Sequence, residues 1–349
     1  MEIKEINSQN KKTWEDFVNH HPFGHLLQSW EWGEVLLKDK HKIKRFSLWN
    51  GGKILISALV MKISLPLGQS YFYIPRGPVL DWSKIISDEK YQDAFRFILK
   101  SINLWGKKEK ALFLRIDPEI PFQDEYLNLF KKLGFRKSKK EPQPQRTIFL
   151  DLKKSPEELL KNMKSKTRYN IRLAQRKGIQ IREIKDEKGI DIFYQLMLET
   201  SKRDKFYAHP KSHYQNLIKF LGPKGLAEIL VAEYNNQPLA ANIISFFNQK
   251  STYLHGASSN MYRNLMPTYL LQWFAILKAQ KKNCLIYDFG GIAAEEGKNH
   301  SWAGITRFKK GFGGEEKKFI GAWDLPYCFF KYQIFSNLNN LRRKIKGIS

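Results

Sequence analysis

A row of basic residues at helical spacing is the clearest candidate for a functional surface in this sequence. Lys164, Arg168, Arg172 and Arg176 recur every four residues, which would place them along one side of a helix. Like charges at this spacing destabilise a helix by roughly 0.2–0.5 kcal/mol per pair. An anionic partner would explain such a row, because phosphate contacts give affinity without reading a base sequence. We therefore predict contact with an RNA backbone or a pyrophosphate; the alternative is a solvated helix face.

The helix that carries this row has a clear start signal. Ser155 is followed by Pro156 and, three residues after the serine, by Glu158, which together form the pattern of a capping box with proline at the first helical position. Gly178 can end the helix in the left-handed conformation. The pattern predicts one continuous helix from this cap to about Lys177.

The composition supports a folded protein with a polyanionic partner. The 349 residues contain 42% hydrophobic and 14% aromatic residues, enough to bury the cores of two domains. Lys and Arg number 60 against 34 Asp and Glu, a formal charge of +26. Nucleic acid, a phosphorylated substrate and an anionic membrane surface all fit this excess, as does a generally basic proteome.

Other chemistries lack their signatures in the sequence. Cys284 and Cys328 have no metal-spaced partner, and there is no GxSxG, Walker or HExxH motif. A glycine-rich turn that would bring backbone amides to the pyrophosphate of coenzyme A is missing, and Pro267 stands where such a turn would open a helix. Simple transfer of an acetyl group from coenzyme A is therefore disfavoured. The charged N-terminus and the lack of a long apolar run lead us to expect a cytoplasmic protein.

The two halves of the chain repeat one order of predicted elements. Each half has a hairpin, a further strand, a helix, a strand ending at aspartate, and a helix that runs into Gly-Phe. The paired segments are 46–58 and 229–242, 70–74 and 251–255, 91–106 and 269–282, 111–117 and 284–288, and 129–135 and 307–312. This is the element order of the GNAT acyltransferase fold. We predict an α+β protein with two tandem GNAT-like domains, each a mixed sheet flanked by helices. The basic, proline-containing segment 136–145 predicts the linker between them.

Six short motifs follow one another over almost the whole chain: Gln28–Trp32, Tyr71–Asp81, Leu114–Pro118, Lys164–Arg172, Tyr287–Ile292 and Gly304–Gly314. In their residues and in their order, these motifs resemble those of the Fem family of peptidyltransferases. The resemblance implies tandem GNAT-like domains in a compact form without the long helical arm of some members. It implies a first domain of residues 1–146 and 320–349 that binds the precursor, and a second domain of residues 147–319 on the tRNA side.

The resemblance also implies an activity and its partners. An aminoacyl-tRNA would donate its amino acid to an amine on the stem peptide of lipid II or UDP-MurNAc-pentapeptide, with neither metal nor coenzyme A. Lys309 occupies the family's functional lysine position, where it would contact the tRNA 3′ end or the developing negative charge. Asp117 matches an acidic residue that would orient or deprotonate the acceptor amine. Substrate contacts are implied for Phe308, which would stack on the terminal adenine, and for Tyr214, His209, His255, Lys38, Trp32 and Arg76.

Some positions depart from the family pattern. His209 and His255 stand where a compact member has an arginine and a tyrosine, and Leu36 replaces a lysine that grips the pyrophosphate, although Lys38 is close by. These departures put binding of the soluble nucleotide precursor in that pose in doubt. Lipid II is then an equal or better candidate.

The C-terminal segment and two competing functions stay open. Residues 329–348 mix apolar residues with Arg342, Arg343, Lys344 and Lys346, as in a basic amphipathic helix that lies on an anionic membrane or packs on its own domain. The competing functions are another GNAT-type N-acyltransferase with a different amine acceptor, and an RNA-binding protein without enzymatic activity. The donor amino acid cannot be read from the sequence.

Overall fold

The computed structural model describes residues 1–184, 186–293 and 301–345, with the backbone alone at 187 and 338–345. The chain forms two compact units, Met1–Gln143 with Phe319–Ser349, and Pro144–Lys318. Each is built on one sheet.

The first unit has a seven-stranded mixed sheet in the order β1-β2-β3-β4-β5-β14-β6. Its strands are β1 (Glu2–Glu5), β2 (Lys42–Asn50), β3 (Lys53–Ser64), β4 (Ser70–Ile74), β5 (Ala111–Ile116), β6 (Arg136–Lys137) and β14 (Trp323–Pro326). Its helices are α1 (Lys11–His20), α2 (Trp30–Lys38), α3 (Lys84–Ser87), α4 (Glu89–Lys108), α5 (Asp124–Lys132) and α12 (Phe329–Ile345). Strands β4 and β5 are parallel and are connected through α4. The apolar side of α4 packs on the sheet, with Phe95, Ile98 and Ile102 fully buried.

The second unit repeats this plan in the order β13-β7-β12-β11-β10-β9-β8. Its strands are β7 (Arg146–Asp151), β8 (Gln180–Ile184), β9 (Ala227–Tyr234), β10 (Gln237–Phe247), β11 (Lys250–Ser258), β12 (Ile286–Asp288) and β13 (Glu315–Lys318). Its helices are α6 (Pro156–Asn162), α7 (Ser165–Arg176), α8 (Glu187–Asp204), α9 (Lys211–Leu221), α10 (Pro267–Lys281) and α11 (Ala303–Lys310). Strands β11 and β12 are parallel and are connected through α10. The prediction of an α+β protein with two mixed, helix-flanked sheets is confirmed.

The hairpins that define the repeat follow from their turn residues. The β2–β3 turn has Gly51 and Gly52 at positive φ, and the β9–β10 turn has Asn235 and Asn236 at positive φ. Two successive residues of this conformation form the turn whose twist matches a two-residue hairpin, and glycine and asparagine tolerate it best.

The continuous helix expected from the capping box to Lys177 is wrong. The capping box on Ser155 is present, but α6 ends at Asn162 and Met163 is extended, with φ −73° and ψ 155°. The Lys164 amide then donates to the carbonyl of Gly311, at 2.9 Å, and α7 begins at the next residue. The chain bends here because a distant backbone carbonyl takes the amide that would otherwise continue the helix.

The last strand of the chain is bound into the first sheet by a buried ion pair. Arg115 on β5 donates from Nε and a terminal nitrogen to the two carboxylate oxygens of Asp324 on β14, at 2.7 and 2.8 Å. The Tyr332 hydroxyl of α12 donates to the same carboxylate at 3.0 Å. Both charged groups are buried, and their hydrogen bonds are bidentate. Each group therefore depends on the other to replace the water that it loses on burial.

Candidate active site

Lys309 is buried in the second unit. It lies near the end of α11, only 6% exposed, and its Nζ donates to the carbonyl of Gly291 at 2.7 Å and lies 5.5 Å from the ring centre of Tyr253. Burial lowers the pKa of Lys309 from 10.5 to about 8, and the negative charge of Asp288 offsets part of this effect. A lysine ammonium has three donors, so two remain for other partners when one is held by Gly291.

The loop after β12 is shaped to receive this lysine. The Asp288 carboxylate accepts hydrogen bonds from the Thr147 hydroxyl and, at 2.8 Å, from the amide of Gly290. Gly290 has φ +69°, and a Cβ there would lie 3.0 Å from the carbonyl oxygen of Tyr253 and 3.7 Å from the Lys309 amine. Only glycine fits this turn without strain, and the turn presents the carbonyl of the next residue to the lysine.

Phe308 is half-buried beside Lys309. Its ring meets those of Tyr269 and Phe312 edge-on, with centroids 5.0 and 5.2 Å apart. The partly exposed ring is compatible with the expected stacking on a terminal base, which stays a prediction.

Asp117 occupies the corresponding strand end in the first unit. It is 1% exposed and follows β5, and its carboxylate accepts from the Tyr73 hydroxyl at 2.6 Å and from the Arg76 amide at 2.7 Å. Burial raises the pKa of Asp117 from 3.8 to about 6, although the charge of Arg76 and the Tyr73 hydrogen bond act in the opposite direction. A carboxyl group with this pKa is ionised at neutral pH and basic enough to accept a proton.

The structure brings the three first-unit motifs together around the segment after β4. The Gln28 side chain donates to the Pro75 carbonyl at 2.7 Å and accepts from the Leu59 amide at 2.8 Å. The next residue of this segment, Arg76, is held through its amide by Asp117 and lies with its guanidinium 5.2 Å from the ring centre of Phe319.

The two other first-unit residues named from the family lie on α2. Trp32 is half-buried in the first turn, where its amide is capped by the Ser29 hydroxyl at 3.0 Å. Lys38 is exposed at the last residue of the helix, while Leu36 is buried. A side chain at position 38 is therefore available to solvent, unlike one at position 36.

A second group of aromatic and imidazole rings lies between α8, α9 and β11. His255 faces Tyr214, His209 and His213, with ring centroids 5.3, 6.1 and 6.3 Å away. Burial lowers the pKa of His255 to about 3, and the two other histidines add to this direction. The sequence singled out His209, Tyr214 and His255 but missed His213, whose ring centroid lies 4.4 Å from that of His209. Its spacing of four residues from His209 was the available signal. In the described ranges, no group of histidine, cysteine and acidic residues is arranged to hold a metal ion.

The basic row on α7 differs from the expected one. Lys164 is the N-cap residue rather than part of the helix, and the Arg168 guanidinium turns back to the carbonyls of Lys161, at 3.3 Å, and Met163. The cations that are exposed on the helix itself are Lys166, Arg172 and Arg176.

The C-terminal helix α12 packs partly on the first unit. Tyr332 and Phe335 contact Phe113 of β5, each with ring centroids 5.3 Å apart, while Phe329 and Phe330 are exposed. The basic residues of this segment, Arg342, Arg343, Lys344 and Lys346, have side chains outside the described residues, so the alternatives of membrane contact and packing on the first unit stay open for them. No helix in the described part of the chain is long and apolar enough to span a membrane.

Comparison with known proteins agrees with this architecture. The FemAB family matches residues 10–237 and 224–340. The lipid II:glycine glycyltransferase of Staphylococcus saprophyticus is 26% identical over 401 aligned positions, and that of Staphylococcus aureus strain RF122 is 27% identical over 406. These alignments cover 95% of this chain and 95% and 94% of the relatives.

Solved structures show the same fold. The crystal structure of FemX superposes with a TM-score of 0.85 at 24% identity, covering 96% of this chain and all of that one. A tandem GNAT protein from the clavulanic acid pathway gives 0.56 at 10% identity, covering 93% of this chain and 98% of that one. The resemblance drawn from the motifs is confirmed: the chain belongs to the FemAB family and is an aminoacyltransferase.

Proposed function

We propose that this enzyme transfers an amino acid from aminoacyl-tRNA to an amine on the stem peptide of lipid II, forming a bridge or branch in peptidoglycan. The observation that carries the proposal is the full-length similarity to proteins named lipid II:glycine glycyltransferase. The departures at Leu36, His209 and His255 also favour lipid II over UDP-MurNAc-pentapeptide. Reaction at a lipid-linked substrate would bring a cytoplasmic enzyme to the inner face of the membrane, where the exposed Phe329 and Phe330 are candidates for contact.

The chemistry asks little of the protein beyond positioning and electrostatics. The acceptor nitrogen attacks the carbonyl carbon of the aminoacyl ester, a C–N bond forms, and the C–O bond to the tRNA ribose breaks. The nitrogen loses a proton and the ribose oxygen gains one, so no cofactor is consumed. The cost lies in orienting the amine and stabilising the tetrahedral oxyanion.

The second unit supplies a cation suited to the donor side of this reaction. Lys309 is preorganised by the Gly291 carbonyl and is shielded from water, which strengthens its interaction with a developing negative charge. With a pKa of about 8 it is mostly protonated at neutral pH. We assign it to the ester carbonyl or the 3′-terminal phosphate, with Phe308 against the terminal base.

The first unit supplies a base suited to the acceptor side. Asp117 is held by two hydrogen bonds at the end of β5 and has a pKa of about 6. We assign it the task of orienting the attacking amine and accepting its proton. Arg76, Trp32 and Lys38 are proposed to contact the precursor, as are His209, Tyr214 and His255 of the second unit.

The test is a transfer assay with total tRNA charged with radiolabelled amino acids, in which lipid II and UDP-MurNAc-pentapeptide are offered in parallel. We expect label on lipid II, abolished by ribonuclease and by Lys309→Met, and unchanged by the matched surface variant Lys131→Met. Label on the nucleotide precursor alone would overturn the acceptor assignment. Label that persists after ribonuclease treatment of the charged tRNA would overturn the donor assignment.

A further inference from the structure

A tyrosine interrupts the exposed cations of α7. The helix buries Thr167, Asn170, Ile171 and Ala174. Its opposite side carries a stripe, here called the α7 stripe, which consists of Lys166, Tyr169, Arg172 and Arg176 at spacings of three, three and four residues. Tyr169 is 57% exposed in the middle of it.

The α7 stripe begins next to the helix that carries Lys309. The Lys164 amide at the N-terminus of α7 donates to the carbonyl of Gly311 at the end of α11. A Cβ on Gly311 would lie only 2.4 Å from the Thr167 hydroxyl oxygen, so the end of α11 packs closely against the first turn of α7. From that contact the twelve residues of α7 extend about 18 Å.

The composition of the stripe favours single-stranded nucleic acid. Lysine and arginine alone would bind the phosphates of any duplex, which hides its bases inside the stack. An aromatic ring among the cations offers a platform on which an unpaired base stacks, and such contacts tolerate any base.

A membrane surface fits the stripe less well. A helix that lies on a bilayer inserts a broad apolar face between the headgroups. The apolar side of α7, with Ile171 and Ala174, is already buried in the second unit, and Tyr169 is the single aromatic residue among the exposed cations of the stripe. Insertion of one ring would leave most of the helix outside the hydrocarbon.

We propose that Tyr169 stacks on an unpaired nucleotide of an RNA whose backbone lies along Lys166, Arg172 and Arg176. This inference rests on the proposed tRNA donor and deepens it: the stripe recognises the single-stranded end that leads towards Lys309, rather than the paired stem alone. Tyr169 is a binding residue, and its ring supplies stacking without reading the base.

The experiment measures binding of the full chain to two fluorescent RNA hairpins with the same stem, one blunt and one with a four-nucleotide unpaired 3′ tail. Wild type should bind the tailed hairpin at least tenfold more tightly than the blunt one, and Tyr169→Ala should reduce this ratio of affinities about tenfold. Tyr169→Phe should retain it, because the ring is kept. Tyr207→Ala is the matched control, since that tyrosine is fully exposed outside α7.

Arg172→Ala separates stacking from charge. It should weaken binding of both hairpins by a similar factor and reduce the slope of log affinity against log salt by about 1. A thermal unfolding midpoint equal to that of wild type would verify that each of these exposed substitutions leaves the fold intact.

The possible failures point to different errors. Tail-dependent binding that is unchanged in Tyr169→Ala would overturn this inference alone. The absence of binding to either hairpin would overturn both this inference and the tRNA donor. Tyr169-dependent binding to phosphatidylglycerol vesicles without tail-dependent RNA binding would assign the stripe to a membrane instead. If Tyr169→Ala loses the tail preference while the wild-type enzyme transfers no label to lipid II, the result would support the role of the α7 stripe and reject lipid II as the acceptor.

Discussion

The two units end their repeat in almost the same sequence but bury different residues of it. In the first unit, Phe130 of α5 is fully buried and Lys131 is exposed. In the second unit, Phe308 is half-exposed and Lys309 is buried. The first copy has one additional residue, Leu133, between its lysines and the Gly-Phe pair. One residue corresponds to about 100° of rotation around a helix, so the two Phe-Lys-Lys segments are offset by about this angle when counted back from the Gly-Phe pair.

The aspartates at the two strand ends also differ in their hydrogen-bond partners. Asp117 holds the Arg76 amide and the Tyr73 hydroxyl, whereas Asp288 holds Thr147 and the amide of Gly290 within its own loop. In the second unit the aspartate therefore shapes a receptor for a buried lysine. The same order of elements thus holds a buried aspartate in the first unit and a buried lysine beside an aspartate in the second.

The largest effect is expected from removing the buried lysine. Lys309→Met should lower turnover on aminoacyl-tRNA by about a thousandfold, equivalent to about 4 kcal/mol of transition-state stabilisation. Lys131→Met, its counterpart in the first unit, should leave turnover within about twofold. Steady-state rates of label transfer measure both variants, and a comparable loss in both would remove the functional distinction between the helices.

Two ion pairs that join neighbouring strands, one in each unit, offer the next contrast. β14 is joined to β5 by the buried pair Arg115–Asp324, and Asp324→Ala would leave the arginine charge buried without its partner. We expect a loss of about 3 kcal/mol in the free energy of unfolding, measured by urea titration. Glu316 on β13 is the control, because it is partly exposed and pairs with Arg146 of β7 and with Lys310; Glu316→Ala should cost about 0–1 kcal/mol. Equal losses would show that burial does not distinguish the pairs.

The buried lysine should also lower stability. Its folded pKa of about 8 lies below the unfolded value near 10.5, so the unfolded chain binds more protons between these pH values and wild-type stability rises with pH there. Lys309→Met lacks this titration and should be more stable than wild type by about 3 kcal/mol at pH 7. The difference should narrow as the pH approaches 10. Urea unfolding of both proteins at pH 7 and pH 9.5 measures this difference in unfolding free energy. A difference that widens with pH would contradict the lowered pKa of Lys309.

The two sites should also divide the pH profile of transfer. The rate should rise through about pH 6 as Asp117 ionises, and fall through about pH 8 as Lys309 loses its proton, changing about tenfold per pH unit outside these limits. Asp117→Asn should lower the rate and flatten the acid side, while Lys309→Arg should shift the basic side upwards because arginine stays charged. An acid side that persists in Asp117→Asn would belong to the acceptor amine instead.

Local sequence predicted those parts of this molecule that local interactions determine. Neighbouring residues determine three features that the sequence predicted: the glycine and asparagine turns of the hairpins, the capping box on Ser155, and the aspartates that follow buried strands. The break at Met163 was not predicted, since the Gly311 carbonyl that causes it lies more than a hundred residues further along the chain. The inward turn of Arg168 follows from the same break, because the guanidinium donates to the carbonyls of Lys161 and Met163 at the bend, and the grouping of His213 with His255 depends on a contact between distant segments.

The smallest effects concern the two glycines that follow the lysines. Gly134 has φ +87° and only one atom, 3.7 Å away, near the position of a Cβ, so Gly134→Ala should cost about 1 kcal/mol through backbone strain and leave turnover unchanged. Gly311 has an ordinary φ of −64°, but its Cβ would meet the Thr167 hydroxyl at 2.4 Å. Gly311→Ala should therefore cost a similar amount through a clash between α7 and α11, and it should also lower turnover several-fold by displacing Lys309. Adding Thr167→Ala removes the clashing hydroxyl and should restore part of the rate, whereas the same addition should do nothing for Gly134→Ala. Unfolding free energies and transfer rates measured on these variants would show whether Gly134 is required for its positive φ and Gly311 for the close contact between α7 and α11. Equal transfer rates in the two single variants would reject this distinction.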